Sequence, residues 1–259
     1  MSELIHYKFA GDKSKPCLLI VHGLFGSLDN WQSLAKKWSE NFYVISIDVR
    51  NHGRSFHSDD MRFSSCAMDI KSVLKNESIE KCHLLGHSMG GKIAMEFASL
   101  FPDSLISLII VDVAPYKYPP HHADVFVMIK GTNLAAYTNR NDIENAIRSY
   151  IHEEGVVQFM MKNIRRNEQS MKFEWKFNWQ VLYRDYLEII QYMPQKGFAG
   201  KTIFIGGEQS KYITKETSLH IFDLYPKAEL EFISNAGHWV HADNPDEIYH
   251  KVNQFIDNK

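Results

Sequence analysis

A serine becomes a nucleophile only when the chain projects its hydroxyl and a neighbouring base takes its proton. Residues Gly86-His87-Ser88-Met89-Gly90 meet the first condition. They form a G-x-S-x-G between an apolar run that reads as a strand and a stretch with helical spacing. In that context the serine stands on a strained strand-to-helix turn. Glycines two residues to either side let the two backbones pass closely. Ser88 is therefore the candidate nucleophile. The backbone N–H of Met89, directly after it, is a candidate donor to a developing oxyanion. The same segment runs on through Gly91 and Lys92 and so matches most of the phosphate-binding pattern G-x-x-x-x-G-K-[ST]. The next residue is Ile93, which has no hydroxyl to hold Mg²⁺, and nucleotide hydrolysis is set aside.

Such a serine needs elements to position it. Cys17 to Val21, Phe42 to Ile47, Cys82 to Leu85 and Leu105 to Val111 are short apolar runs rich in Leu, Ile and Val, the pattern of buried parallel strands. Helical spacings lie between them: Trp31 to Ser39, then Cys66, Ile70, Val73 and Leu74, then Ile93, Phe97, Leu100 and Phe101. Pro115, Pro119 and Pro120 break this rhythm. The stretch to about Gly200 reads as an inserted, mainly helical subdomain, with segments such as Asp142 to Ile151 and Val156 to Ile164. From Lys201 the alternation resumes with Thr202 to Gly206, a helical Thr214 to Leu224, Glu229 to Ser234 and a final helix from about Asp246 to Ile256. The order predicts an α/β fold in which a mostly parallel central sheet has helices on both faces. Residues 1–115 and 200–259 form its core, and residues 116–199 form a helical lid.

Taken together, Val21-His22-Gly23-Leu24-Phe25-Gly26-Ser27, Asp48-Val-Arg-Asn-His-Gly-Arg-Ser55, Gly86 to Gly91, Ile110-Val-Asp-Val-Ala-Pro115 and Gly237-His-Trp-Val-His241 resemble the α/β-hydrolase family over nearly the whole chain. Their order and the Phe-Asn segment of the insertion are similar to the YbfF-type bacterial esterases. Among thirteen histidines, His238 has the position expected of the base, in a loop after the strand-like Glu229 to Ser234 and before the last helix. His241, three residues on, is its local rival. His22 and His87 flank sharp turns and shape the site. His121 and His122, with no carboxylate or cysteine pattern nearby, read as an exposed polar pair rather than a metal site.

The residues alone leave two candidates for the orienting acid. Glu208 follows the later strand, and Asp112 ends the run Leu105 to Val111. The resemblance implies Asp112. It also implies the backbone N–H of Leu24 as the second oxyanion donor and the Ser210 hydroxyl as a support for acid and base. It brings, too, an association with acyl-coenzyme A thioesters as well as simple esters. The expected reaction is hydrolysis of a small ester or thioester through an acyl-enzyme, with no metal or redox cofactor. A lyase on the same fold and a small-ligand receptor on an inactive scaffold are the alternatives.

Composition narrows the partners. Lys and Arg number 29 against 31 Asp and Glu, a formal charge of −2, and no dense basic block occurs. Nothing therefore favours tight binding to nucleic acid or an anionic membrane. No apolar run approaches the length of a membrane span, the start of the chain lacks the apolar stretch of a secretory signal, and the chain reads as cytoplasmic. Cys17, Cys66 and Cys82, odd in number and set among apolar residues, read as buried free thiols. Phe126, Met128, Phe159, Met160, Met161, Trp175, Phe177 and Trp179 give the insertion an apolar character suited to packing or to an acyl pocket. Arg140, Arg148, Lys162, Arg165, Arg166, Lys172 and Lys176 could meet the phosphates of a coenzyme A ester.

Overall fold

A computed structural model describes residues 3–258. Met1, Ser2 and Lys259, at the outer limits of the expected core, lie outside the described residues. Nine strands are present among them: β1 (Tyr7–Ala10), β2 (Cys17–Val21), β3 (Tyr43–Ile47), β4 (Cys82–His87), β5 (Leu105–Val111), β6 (Ile164–Arg166), β7 (Phe173–Trp175), β8 (Lys201–Gly207) and β9 (Glu229–Ile233). Seven of these form one sheet in the order β1-β3-β2-β4-β5-β8-β9. Every pairing is parallel except that of β1 with β3. This is the α/β-hydrolase fold expected from the sequence. The edge strand β1 is only partly buried, so it lacks the continuous apolar run that marks the inner strands.

Helices α1 (Gln32–Trp38), α2 (Phe63–Asn76) and α3 (Met89–Leu100) connect the first strands. The insertion carries α4 (Ala123–Gly131), α5 (Arg140–Arg148), α6 (Glu154–Lys162), α7 (Trp179–Arg184) and α8 (Tyr186–Gln191). The chain finishes with α9 (Lys215–Leu224), α10 (Val240–Asp243) and α11 (Pro245–Asp257). No helix among the described residues is long and apolar enough to cross a membrane.

Side-chain alternation divides the sheet into two buried faces. Leu19, Val21, Ile45, Leu84 and Ile110 pack with α2, α3 and the insertion. Leu18, Ile20, Val44, Leu85 and Ile109 pack with Trp31, Leu34 and Trp38 on one side of the chain's course and Ile248, Val252 and Phe255 of α11 on the other. A strand buried on both faces needs an apolar residue at every position, which is why these runs are continuous.

Between β5 and β8 the chain is not helical throughout: β6 and β7 form an antiparallel ribbon. Helices α5 and α6 each begin two residues before the expected start. The Asn139 side chain accepts the Asp142 N–H and starts α5 early, and α6 ends at Lys162 because Ile164 joins the ribbon. The insertion is tied to the loop after β3 by Asn178 N–H donating to Asn51 O (2.9 Å) and Arg165 Nη1 donating to Gly53 O (3.0 Å). Cys17, Cys66 and Cys82 are buried and unbridged.

Candidate active site

Ser88 sits between β4 and α3 with φ 54° and ψ −119°, in the left-handed region that non-glycine residues seldom occupy. Its N–H donates to Val111 O (2.9 Å), and its own carbonyl accepts from Gly91 and Lys92 as α3 begins. The flanking glycines are required by contact. A Cβ on Gly86 would come within 2.2 Å of Gly90 O, and one on Gly90 within 2.4 Å of Val21 O. Helix α3 can thus start directly against the ends of β2 and β4.

The Ser88 hydroxyl is 3.0 Å from His238 Nε2, and His238 Nδ1 is 2.6 Å from Asp112 Oδ2. Asp112 follows β5, is wholly buried and also has a positive φ of 48°. Its carboxylate is fully partnered: Gly207 N–H donates to Oδ1 (3.0 Å) and the Ser210 hydroxyl to Oδ2 (2.5 Å). A buried carboxylate is accommodated when its oxygens find donors in this way. Glu208 faces elsewhere, accepting from Asn235 N–H (3.3 Å). The structure therefore brings together Ser88, His238, Asp112 and Ser210, and leaves Glu208 on the loop rim.

The other histidines serve the surrounding loops. Val49 N–H donates to His22 Nε2 (3.0 Å), so Nδ1 carries the proton and donates to Gly23 O (2.8 Å). Phe25 N–H donates to His52 Nε2 (3.3 Å), and His52 Nδ1 donates to Arg50 O (3.1 Å). Burial lowers the pKa of both rings, His52 to about 3. Two neutral imidazoles thus hold the Gly23–Phe25 turn from either end. Neither Leu24 N–H nor Met89 N–H donates to another group among the described residues, and both residues border the space in front of Ser88.

His87 donates from Nε2 to the backbone carbonyl of His238 (2.9 Å) and so fixes the loop that carries it. His241 is buried and stacked on Trp31 (centroids 4.5 Å apart), with no bond to Ser88. His121 is exposed, whereas His122 is not the exposed residue expected: it bonds Tyr186 Oη through Nδ1 (2.7 Å) and meets the edge of Phe25. Burial pulls His122 down to about 3.

Two further residues belong to this site. Tyr212 lies flat on the His238 ring, and its Oη bonds His121 Nε2. Lys92, one turn into α3, is buried and donates to the carbonyls of Tyr116 (2.9 Å), Tyr192 (2.8 Å) and Ile190. Only position in the fold, not residue type, distinguishes either one.

A cavity of about 830 Å³ opens from Ser88 and His238 toward the insertion, with Phe25, Val156, Phe159, Met160 and Trp239 among its walls. Of the other apolar residues singled out in the insertion, Phe126, Met128, Met161, Trp175 and Phe177 are buried, with Trp175 stacked on Phe177 (centroids 5.4 Å apart) and both Phe126 and Phe177 meeting Phe25, whereas Trp179 is half-buried.

Comparison with known proteins gives a consistent pattern. The family profile described as alpha/beta hydrolase fold matches residues 16–245. Esterase YbfF of Escherichia coli is 32% identical over 240 residues, covering 92% of each chain. The sn-1-specific diacylglycerol lipase ABHD11 of Mus musculus is 33% identical over 256 residues, covering 95% of this chain and 82% of the relative. A solved structure titled marine microorganism esterase superposes with a TM-score of 0.93 at 35% identity, covering 98% of this chain and all of the other.

Proposed function

From the premise that this chain belongs to the α/β-hydrolase family, we propose that it is a serine esterase that cleaves small carboxylic esters through an acyl-enzyme. The observation that carries this reading is the continuous hydrogen-bonded relay Ser88–His238–Asp112 at the end of an open cavity. The names of the similar esterases and lipases agree with it.

In the proposed reaction Ser88 Oγ attacks the ester carbonyl while His238 Nε2 takes its proton. Asp112 keeps the His238 proton on Nδ1 and stabilises the imidazolium. The Leu24 and Met89 N–H groups receive the oxyanion, and being unengaged they need no rearrangement to do so. His238 then protonates the departing alcohol. Water then attacks the acyl carbon as His238 takes its proton, the bond to Ser88 Oγ breaks, His238 returns the proton to that oxygen, and the acid leaves. Residues 116–199 act as a lid that walls the cavity.

An ester of an uncharged alcohol suits this cavity better than a coenzyme A thioester. The acidic residues bordering it are Asp124, Glu153 and Asp243, and none of the seven basic insertion residues lines it among the described residues. Arg148 is paired with Glu144 and Glu154, and Arg165 with Glu174. These two arginines are thus engaged within the insertion.

The test is labelling by a fluorophosphonate together with hydrolysis of p-nitrophenyl acetate. Both should occur in the native protein and vanish in Ser88→Ala. Hydrolysis that survives in Ser88→Ala would remove the assignment.

A further inference from the structure

Two spaces meet at Ser88, and they differ greatly in size. The larger, described above, is bordered by His238 and Trp239. The smaller is about 20 Å³, shares Leu24, Ser88, His121, His122 and Tyr212 with the larger, and is bordered by Met89 but not by His238. Its remaining walls include Val113, Tyr118, Ile189, Ile190 and the stem of Lys92. A space of that size takes about one water-sized or methyl-sized group.

Proton transfer decides which half of an ester enters which space. His238 must hand its proton to the leaving oxygen, so the alcohol lies on the His238 side. The oxyanion is directed at the Leu24 and Met89 amides. The remaining substituent of the tetrahedral carbon, the acyl carbon chain, is left to point past Met89. We propose that the small pocket behind Met89 is the acyl subsite and restricts the protein to acetyl and propionyl esters of bulky alcohols. This deepens the serine-esterase reading and rests on it.

The pocket is small and also braced. Val113, Ile189, Ile190, Tyr118, Lys92 and Met89 are all nearly inaccessible to solvent. The Ile190 carbonyl accepts from both Lys92 Nζ and Tyr118 N–H. The three protons of the Lys92 ammonium meet three carbonyls, Tyr116, Ile190 and Tyr192, from both ends of the insertion. Tyr118 is fixed in turn, its Oη accepting from Ala114 N–H (2.8 Å) and donating to Tyr212 O (2.7 Å). A longer acyl chain would have to displace this wall, and close-packed walls yield at a cost.

The experiment is a series of p-nitrophenyl esters from acetate to octanoate, with kcat/KM measured for the native protein, Ile190→Ala and Val113→Ala. For the native protein, hexanoate should fall at least about tenfold below acetate or propionate, the scale of discrimination that a single methylene produces in a closed pocket. At least one truncation should raise the hexanoate-to-acetate ratio by about tenfold or more. Val113→Ala and the native series keep the test decisive should Ile190→Ala fail to fold. Native rates that climb toward octanoate, or a ratio unmoved in both variants, would overturn the subsite while Ser88 labelling leaves the esterase reading standing. Loss of both labelling and hydrolysis in the native protein would instead overturn that reading, and the subsite with it.

Discussion

The aromatic ring of Tyr212 lies parallel to the imidazole of His238, with centroids 3.9 Å apart and an interplanar angle of 14°. Tyr212 is itself held at three points: its N–H donates to Ser210 Oγ (3.2 Å), its carbonyl accepts from Tyr118, and its Oη bonds His121. It confines the His238 ring to the plane in which Nε2 faces Ser88 and Nδ1 faces Asp112. Stacked aromatic pairs contribute about 0.5–1.5 kcal/mol beyond buried area. Tyr212→Ala should therefore lower kcat by roughly 3- to 10-fold, and Tyr212→Phe should keep most of it. Equal losses in the two variants would assign the effect to the hydroxyl rather than to stacking.

The amide replacements at the two acidic candidates should diverge sharply. Asp112→Asn removes the charge that faces His238 and favours the wrong tautomer, so kcat should fall by about 10⁴. Glu208→Gln alters only a rim contact to Asn235 and should change kcat by less than about threefold, the effect of a surface substitution. Steady-state kinetics on one aryl ester reads both, and a severe loss in Glu208→Gln would exchange their roles.

Gly90→Ala should cost at least about 3 kcal/mol, because the added carbon meets the carbonyls of Val21 and His22 at 2.4 and 2.5 Å. For a chain of this size that lowers Tm by roughly 10 °C. Calorimetry is the direct measurement. An unchanged Tm would mean that α3 can retreat from β2 without penalty.

Buried neutral histidines make stability depend on acid. His83 is lowered to about 4, and His52, His122 and His241 to about 3, by burial. The unfolded chain takes up these protons near pH 6.5, and the folded chain does so only near the lowered values. Below pH 6.5 the unfolded form therefore binds more protons, and stability falls as pH falls, by about 1.4 kcal/mol per unit for each fully shifted group. Urea midpoints should drop steeply from pH 6.5 toward pH 4. His83→Gln, which alters a ring bonded to Ser107 Oγ on the sheet, should make the decline shallower. A midpoint that stays flat from pH 7 to pH 5 would contradict this account.

Much of this architecture was legible in the amino-acid order. The continuous apolar runs of β2, β3, β4 and β5 exist because each strand is covered on both faces, and Gly86-x-Ser88-x-Gly90 is tied to one backbone crossing. Other parts were not legible, for physical reasons. The strand β1 is an exposed edge without an apolar run. The residue pattern left Asp112 and Glu208 equally available, because which carboxylate reaches His238 depends on how the loops after β5 and β8 fold together. Tyr212, His52 and Lys92 act through contacts with residues distant in the chain, and no local spacing distinguishes a tyrosine that stacks on a base from one that fills a gap. The ribbon β6–β7 is three residues per strand, too short for a period-two signal.

The strands on either side of the insertion, β5 and β8, are hydrogen-bonded neighbours in parallel register. Because the pair is parallel, the chain leaves at the C-terminal end of β5 and re-enters at the N-terminal end of β8, so the intervening stretch must also cross back along the length of the strands. A crossover of that kind can be lengthened, trimmed or exchanged at an entropic cost that grows only logarithmically with its length. The scaffold is in that sense modular: a graft from a related chain between positions 115 and 200 would present new walls to an unchanged reaction centre, provided that it supplied backbone acceptors for the waiting ammonium of α3.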